Sequence, residues 1–163
     1  GGTFSGVSRV LREQSPKTKL VITEPENAQL VSSLITQKRN QDGSPAGAHD
    51  SWNPHPIQGW TPDFIPLVLQ ESIDKNYFDM NIPVRGEDGI YWSHQLATNE
   101  GIITGISGGS TFAVAMKIAE EAPDDSNILC MLADTAERYL TSILFEKIDS
   151  EMNDEENEIL NSI

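Results

Sequence analysis

The stretch GIITGISGGSTFAVAMKIAEE, Gly101 to Glu121, decides the fold. A short apolar run, Ile102 to Thr104, gives way to Gly105-Ile106-Ser107-Gly108-Gly109-Ser110. A helical pattern follows at once, with Phe112, Ala115, Met116 and Ala119 at i, i+3, i+4 and i+7. Ser110 or Thr111 is suited to cap that helix, because a hydroxyl accepts hydrogen bonds from the unpaired amides of the first turn. The expected geometry is an extended segment, a tight glycine turn and a helix N-terminus. Such a turn presents amides, hydroxyls and a positive dipole end to a ligand. It also serves as a plain connection in an α/β domain, and periodicity alone does not separate the two uses.

The same stretch matches Gly-x-Ser-x-Gly, with Ser107 where a hydrolase nucleophile stands on a strand-to-helix elbow. Asp134 follows it as a candidate acid, but His49, His55 and His94 all precede Ser107 and no histidine comes after it. A serine without a general base in reach is a poor nucleophile. The hydrolase reading is therefore set aside.

Length and composition set the frame. At 163 residues and 37% hydrophobic content, the chain is long enough for one domain with a core. No apolar run approaches the ~20 residues of a membrane-spanning helix, and the glycine-rich start lacks a signal-peptide pattern, so a cytoplasmic protein is expected, with an organelle as the alternative. The net charge is −14, with 11 basic against 25 acidic residues, which argues against a nucleic-acid surface. Between Glu146 and Ile163 there are seven acidic residues and one lysine, read as a solvated helix or tail over 147–163. The single cysteine, Cys130, lies in the apolar run Ile128 to Leu132 and reads as a buried strand residue.

Taken in order, Gly1-Gly2-Thr3 precedes a helical pattern through Val7, Val10 and Leu11, with Ser5 as a candidate cap. Lys19 to Thr23 reads as a strand closed by Glu24-Pro25, and Asn27 to Gln37 as a helix. Lys38 to Gly59 is a long loop rich in Gly, Pro, Asn, Asp and Ser, and long loops are often functional. Its His49 and His55, six residues apart with no cysteine near, fit no common zinc spacing. They and His94 read as surface histidines, and no metal is expected. Thr61 and Pro62 mark the cap and first position of a short helix through Val68 and Leu69. A brief strand at Ile82 to Val84, a helix over Gly86 to Asn99, a strand at Ile128 to Leu132 and a helix from Asp134 complete the pattern. This alternation predicts an α/β fold, a mostly parallel twisted sheet with helices on both faces.

Several stretches together resemble the fold-type-II pyridoxal-phosphate enzymes, most closely the cysteine synthases, with the cystathionine β-synthases as a sister group. They are Gly1-Gly2-Thr3-Phe4-Ser5-Gly6-Val7, Glu24-Pro25, His55-Pro56-Ile57-Gln58-Gly59, Asp63-Phe64-Ile65-Pro66, Asn99-Glu100-Gly101, Gly105-Ile106-Ser107 and Glu137-Arg138-Tyr139-Leu140. The order is the family's own, and the resemblance runs from Gly1 to about Phe145. The chain departs from the pattern at Gly59-Trp60-Thr61, where the family carries Gly-Ile-Gly. It departs again at Ser107-Gly108-Gly109, in place of Ser-Ser-Gly, and at Ala133-Asp134, in place of Pro-Asp.

The resemblance implies pyridoxal 5′-phosphate as cofactor, with Gly1, Gly2 and Thr3 in the phosphate cradle and Ser107 on the pyridine nitrogen. Gly59 would stand beside the substrate. It implies β-replacement forming L-cysteine from O-acetylserine and sulfide in a homodimer, with a cystathionine β-synthase-like reaction or a non-catalytic relative as alternatives. The family's Schiff-base lysine motif is matched by none of the lysines here, Lys17, Lys19 and Lys117 among them. Residues 1–146 are therefore expected to form the C-terminal portion of the cofactor domain, with the N-terminal half and no catalytic residue of this segment supplying that lysine. In the family, serine acetyltransferase docks a tail ending in isoleucine, so the terminal Ile163 on its acidic leash is a candidate for a similar docking, and the acetyltransferase for a partner.

Overall fold

The computed structural model describes residues 1–149 and 151–162. Helix α1 covers Gly2–Gln14, strand β1 Val21–Pro25, helix α2 Leu67–Asp74 and strand β2 Met80–Val84. Helix α3 (Gly86–Glu100) and helix α4 (Ile106–Ala119) follow, then a 3-10 turn at Ala136–Tyr139 and helix α5 (Asp154–Asn161). β1 and β2 pair in parallel with Val21 opposite Met80 and Pro25 opposite Val84. Parallel strands require a crossover. Here the long loop and α2 supply it, and the pairing is extended by Asp79 N donating to Leu20 O at 2.7 Å and Glu26 N to Val84 O at 2.9 Å. The architecture is α/β with a parallel sheet, as the alternation of patterns predicts.

α3 and α4 lie against each other through small residues. A side chain at Gly109 would run into the Gly89 carbonyl and Ser93 Oγ, and one at Gly89 into Ser110 Oγ. Ser93 Oγ reaches the Gly89 carbonyl at 2.8 Å and the Gly105 carbonyl at 3.0 Å, joining α3 to the turn that starts α4. Between them, Gly101 ends α3 at φ +68 and Ile102 N donates back to Leu96 O at 3.0 Å, a glycine-closed helix end. One core gathers Ile57, Val84, Ile106, Val114, Ala136, Tyr139 and Leu144. A second gathers Ala28, Leu30 and Ile65, with Trp52, Leu69 and Ile73 packed on it.

Several expectations are corrected. Asn27–Gln37 forms turns, because buried Glu24 takes the Val31 and Ser32 amides at 2.7 and 3.0 Å and Leu34 stands at φ +59. The helix expected to start at Thr61-Pro62 starts at Leu67. Ile65 precedes a proline, which disfavours helical backbone, and its amide is taken by Gln37 Oε1 at 3.0 Å. α4 is capped by Gly105 and not by Ser110 or Thr111, so Ser107, Gly108 and Gly109 lie inside its first turn. α1 is capped by Gly1 and not by Ser5. Ile102–Thr104 and Ile128–Leu132 belong to no described strand, and Leu129 is 93% exposed. After Asp134 the chain makes successive three-residue turns in place of a helix, with Ser142 Oγ donating to Tyr139 O at 2.7 Å in competition with helical bonding.

Glu24-Pro25 belongs to β1 itself rather than closing it. Cys130 is half-buried outside any strand, and burial pushes its thiol up to about 11. The acidic end forms α5, closed by a reciprocal Asn153–Glu156 capping box with no residue buried. Ile163 lies outside the described residues. No described helix is long and apolar enough to cross a membrane.

Candidate functional site

Ser107 sits in the first turn of α4, 6% exposed. The first main-chain bond of the helix runs from Gly109 N to Gly105 O at 3.1 Å. The Ile106, Ser107 and Gly108 amides therefore belong to the unpaired first turn, and the N-cap Gly105 has no side chain to satisfy them. Thr111 Oγ1 donates to the Ser107 carbonyl at 3.0 Å, while the Ser107 hydroxyl has no hydrogen-bond partner among the described residues. The turn is tightly buttressed. A side chain at Gly105 would meet Tyr139 and stand 2.7 Å from Asp134 Oδ1, and one at Gly108 would meet Thr104. Thr104 Oγ1 donates to the Asp134 carbonyl at 3.1 Å, and the Tyr139 hydroxyl donates to Asp134 Oδ2. That bond and burial hold the Tyr139 phenol above its usual range. Asp134 Oδ1 is buried without a partner.

Gly59 occupies the third position of a turn in which Trp60 N donates to Ile57 O at 3.2 Å. Its φ of +83 is the left-handed conformation that favours glycine there. Ile57 and Trp60 pack with Ile106 in the first core, so the Gly59 turn and the Ser107 turn are seated on the same apolar cluster.

Gly1, Gly2 and Thr3 are exposed at the start of α1. The first main-chain bond there runs from Ser5 N to Gly1 O at 2.9 Å, no side chain caps the helix and no acidic residue stands in its first turn. A helix start of this kind offers free amides and a positive dipole end to an anion. Gly1 has a steric reason to be glycine, since a Cβ would stand 2.7 Å from Leu69 Cβ on α2. Leu69 packs on the second core, so these residues are seated apart from the cluster under Ser107 and Gly59.

The three histidines are not the surface groups expected. His49 is 4% exposed, its Nε2–H donating to Ile35 O at 3.0 Å while its Nδ1 accepts from Ser51 N at 3.1 Å. His55 Nε2–H donates to Thr61 O at 3.1 Å, and His94 Nε2–H to Leu144 O at 2.6 Å. Among the described residues no group of three or more His, Cys, Asp or Glu is placed to hold a metal ion. Sequence reasoning missed the Asp134–Tyr139 pair as a buttress, although both residues fall in quoted stretches. It also missed Thr61, whose φ of +36 has no signal in a Thr-Pro pair.

Residues 1–134 match the family described as pyridoxal-phosphate dependent enzyme. The chain is 39% identical over 153 residues to O-ureido-L-serine synthase of Streptomyces lavendulae, covering 94% of this chain and 41% of that protein. It is 39% identical over 145 residues to cysteine synthase B of Campylobacter jejuni, covering 89% and 41%. Among solved structures, O-ureido-L-serine synthase superposes with a TM-score of 0.76 at 36% identity over 94% of this chain and 42% of that one. The O-acetylserine dependent cystathionine β-synthase from Helicobacter pylori superposes with a TM-score of 0.68 at 30% identity over 89% and 40%. The chain thus spans about 41% of the length of the curated relatives it matches. With a family match across most of its length and relatives of the cysteine synthase type in both sequence and structure, this chain belongs to the pyridoxal-phosphate dependent enzymes.

Proposed function

We propose that the protein carrying this chain performs β-replacement on an activated serine, forming L-cysteine from O-acetylserine and sulfide. The observation that carries the reading is the Ser107 hydroxyl, held in a buried helix start by Gly105, Thr104, Asp134 and Tyr139 and given no partner among the described residues. A neutral hydroxyl so placed suits the acceptor nitrogen of a pyridine ring and does not enforce ring protonation as a carboxylate would. Pyridoxal phosphate, when bound, supplies the electron sink that β-elimination and β-replacement need. The free amides at Gly2 and Thr3 and the Thr3 hydroxyl suit its phosphate, and the absence of an acidic residue in that first turn supports the fit. Gly59 offers backbone beside the amino-acid substrate. None of Lys17, Lys19 and Lys117, all exposed, is assigned the covalent link to the cofactor. Residues 1–146 are assigned to the cofactor domain and 147–163 to an acidic tail. A homodimer and an acetyltransferase partner belong to the same proposal.

A second reading is favoured by the 39% identity to O-ureido-L-serine synthase and by the Trp60-Thr61 departure in the substrate turn. In it the nucleophile is an oxygen bearing a ureido group. One experiment separates the readings. The full-length protein is supplied with pyridoxal phosphate, O-acetyl-L-serine and either sulfide or hydroxyurea, and the products are identified by mass. Cysteine as the faster product supports the first reading and an O-linked ureido product the second. Neither product would remove both.

A further inference from the structure

The turn after Gly59 is held in a conformation its sequence resists. Thr61 stands at φ +36, in the left-handed region. A β-branched residue is a genuine outlier there, and the following Pro62 biases that position towards extended backbone. Such conformations persist only where the surroundings over-determine them, and they concentrate at functional sites.

The surroundings here are specific. The Thr61 carbonyl accepts Trp52 Nε1–H and His55 Nε2–H, each at 3.1 Å. A carbonyl can only accept, so His55 carries a proton on Nε2. Its Nδ1 is buried without a partner, and the bond to Thr61 is the ring's one hydrogen bond among the described residues. Trp52 packs on the second core and Trp60, beside Thr61, on the first. Trp52 thus ties the strained residue to the second core while its neighbour Trp60 seats the turn on the first, two positions from the glycine assigned to the substrate.

We propose that Trp52 and His55 are positioning residues that clamp the Thr61 carbonyl and thereby hold the Gly59–Thr61 turn in the conformation that receives the amino-acid substrate. This inference rests on the β-replacement reading. The full-length holoenzyme and its Trp52→Phe, His55→Leu, His55→Gln and Thr61→Gly variants test it. In Trp52→Phe and His55→Leu, KM for O-acetylserine rises about three- to tenfold, the factor of one lost hydrogen bond, with kcat within about twofold. His55→Gln, whose amide can still donate, recovers most of the loss. In the Thr61→Gly background, where the turn no longer needs forcing, Trp52→Phe adds nothing.

A readout independent of turnover is the Trp52 indole N–H in the substrate-free protein. It is protected from exchange in the wild type and exchanges faster in His55→Leu. If His55→Leu does not fold, Trp52→Phe alone and in the Thr61→Gly background carries the test. Unchanged KM in both donor variants, a loss confined to kcat, or an equal Trp52→Phe penalty with and without Thr61 overturns the inference alone. A wild type that neither binds nor turns over O-acetylserine overturns it together with the functional reading.

Discussion

The Tyr139 hydroxyl donates to Asp134 Oδ2, and the pair closes over Gly105 at the point where α4 begins. Replacing Tyr139 by Phe strips a half-buried carboxylate of this partner, while its buried Oδ1 has none among the described residues. The cost expected is about 1–3 kcal/mol of unfolding free energy, read from denaturant midpoints at pH 7. A variant as stable as the parent would show that the bond contributes nothing.

The same bond predicts an alkaline limit. The hydrogen bond to Asp134, then burial, raises the Tyr139 phenol above its ordinary value near 10. A group whose folded value is raised contributes stability that is full below the unfolded value and lost as pH rises through the folded one. Stability should therefore fall above about pH 10 and less steeply in Tyr139→Phe. Phenolate absorbance recorded across that range should show one tyrosine titrating late.

Arg12 and Asp79 set the acid limit. Arg12 reaches Asp79 Oδ2 at 2.7 Å, and the Leu20 amide donates to the same oxygen at 2.7 Å, holding the Asp79 carboxyl below its usual range. A depressed value gives stability present above the unfolded value and lost as pH falls through the folded one. Asp79→Asn should be less stable than the parent at pH 7 by about 1–2 kcal/mol, and the gap should close as pH falls below the ordinary carboxylate range and through the lowered folded value. A gap independent of pH would assign the loss to packing.

For Ser107→Ala, the hydroxyl predicts little structural cost, within about 0.5 kcal/mol, because it bonds none of the described residues. In the full-length enzyme the cofactor should remain bound with an altered absorbance spectrum. β-Elimination from O-acetylserine should slow about 10- to 100-fold. An unchanged spectrum together with an unchanged rate would place the cofactor elsewhere.

Two glycine-to-alanine changes should move stability in opposite directions. In α4, Gly109→Ala drives a methyl group into the Gly89 carbonyl and Ser93, at a cost of about 3 kcal/mol. In α1, Gly6→Ala meets nothing within 4 Å and should stabilise by about 0.4–1 kcal/mol. Thermal melts of both, side by side, check the sign.

What the sequence made legible was the helical pattern of α3 and of the body of α4, although α4 sets Val114, with Ala113 and Ile118, on the core in place of the expected Phe112, Ala115, Met116 and Ala119, the last of them exposed. Sequence reasoning misplaced the start of α4 because Ser107-Gly108-Gly109-Ser110 has the composition of a turn. Within the helix Gly109 and Ser110 let α4 approach Gly89 and Ser93 on α3, and Gly108 leaves room for Thr104, tertiary constraints invisible to local propensity. The helix expected over Asn27–Gln37 fails for a similar reason, since a carboxylate from β1 takes two of its amides. The proposed site residues Ser107, Gly59 and Gly1–Thr3 came from the family resemblance. Thr61, His55 and Trp52 did not, because their relation depends on a carbonyl shared across a loop.

The unpaired run Ile128 to Leu132 has a bearing on handling these residues in isolation. Ile-Leu-Cys-Met-Leu is apolar, uncharged and free of proline, and its main chain is engaged in no described ladder. Those are the attributes of a segment that recruits a neighbouring chain into a cross-strand stack. Asp124 and Asp125 before it and Asp134 after it stand as flanking charges of the kind that restrain such stacking. Neutralising the leading pair by Asp124→Asn and Asp125→Asn should lower the concentration at which residues 1–163, expressed alone, precipitate, and light scattering would register the onset.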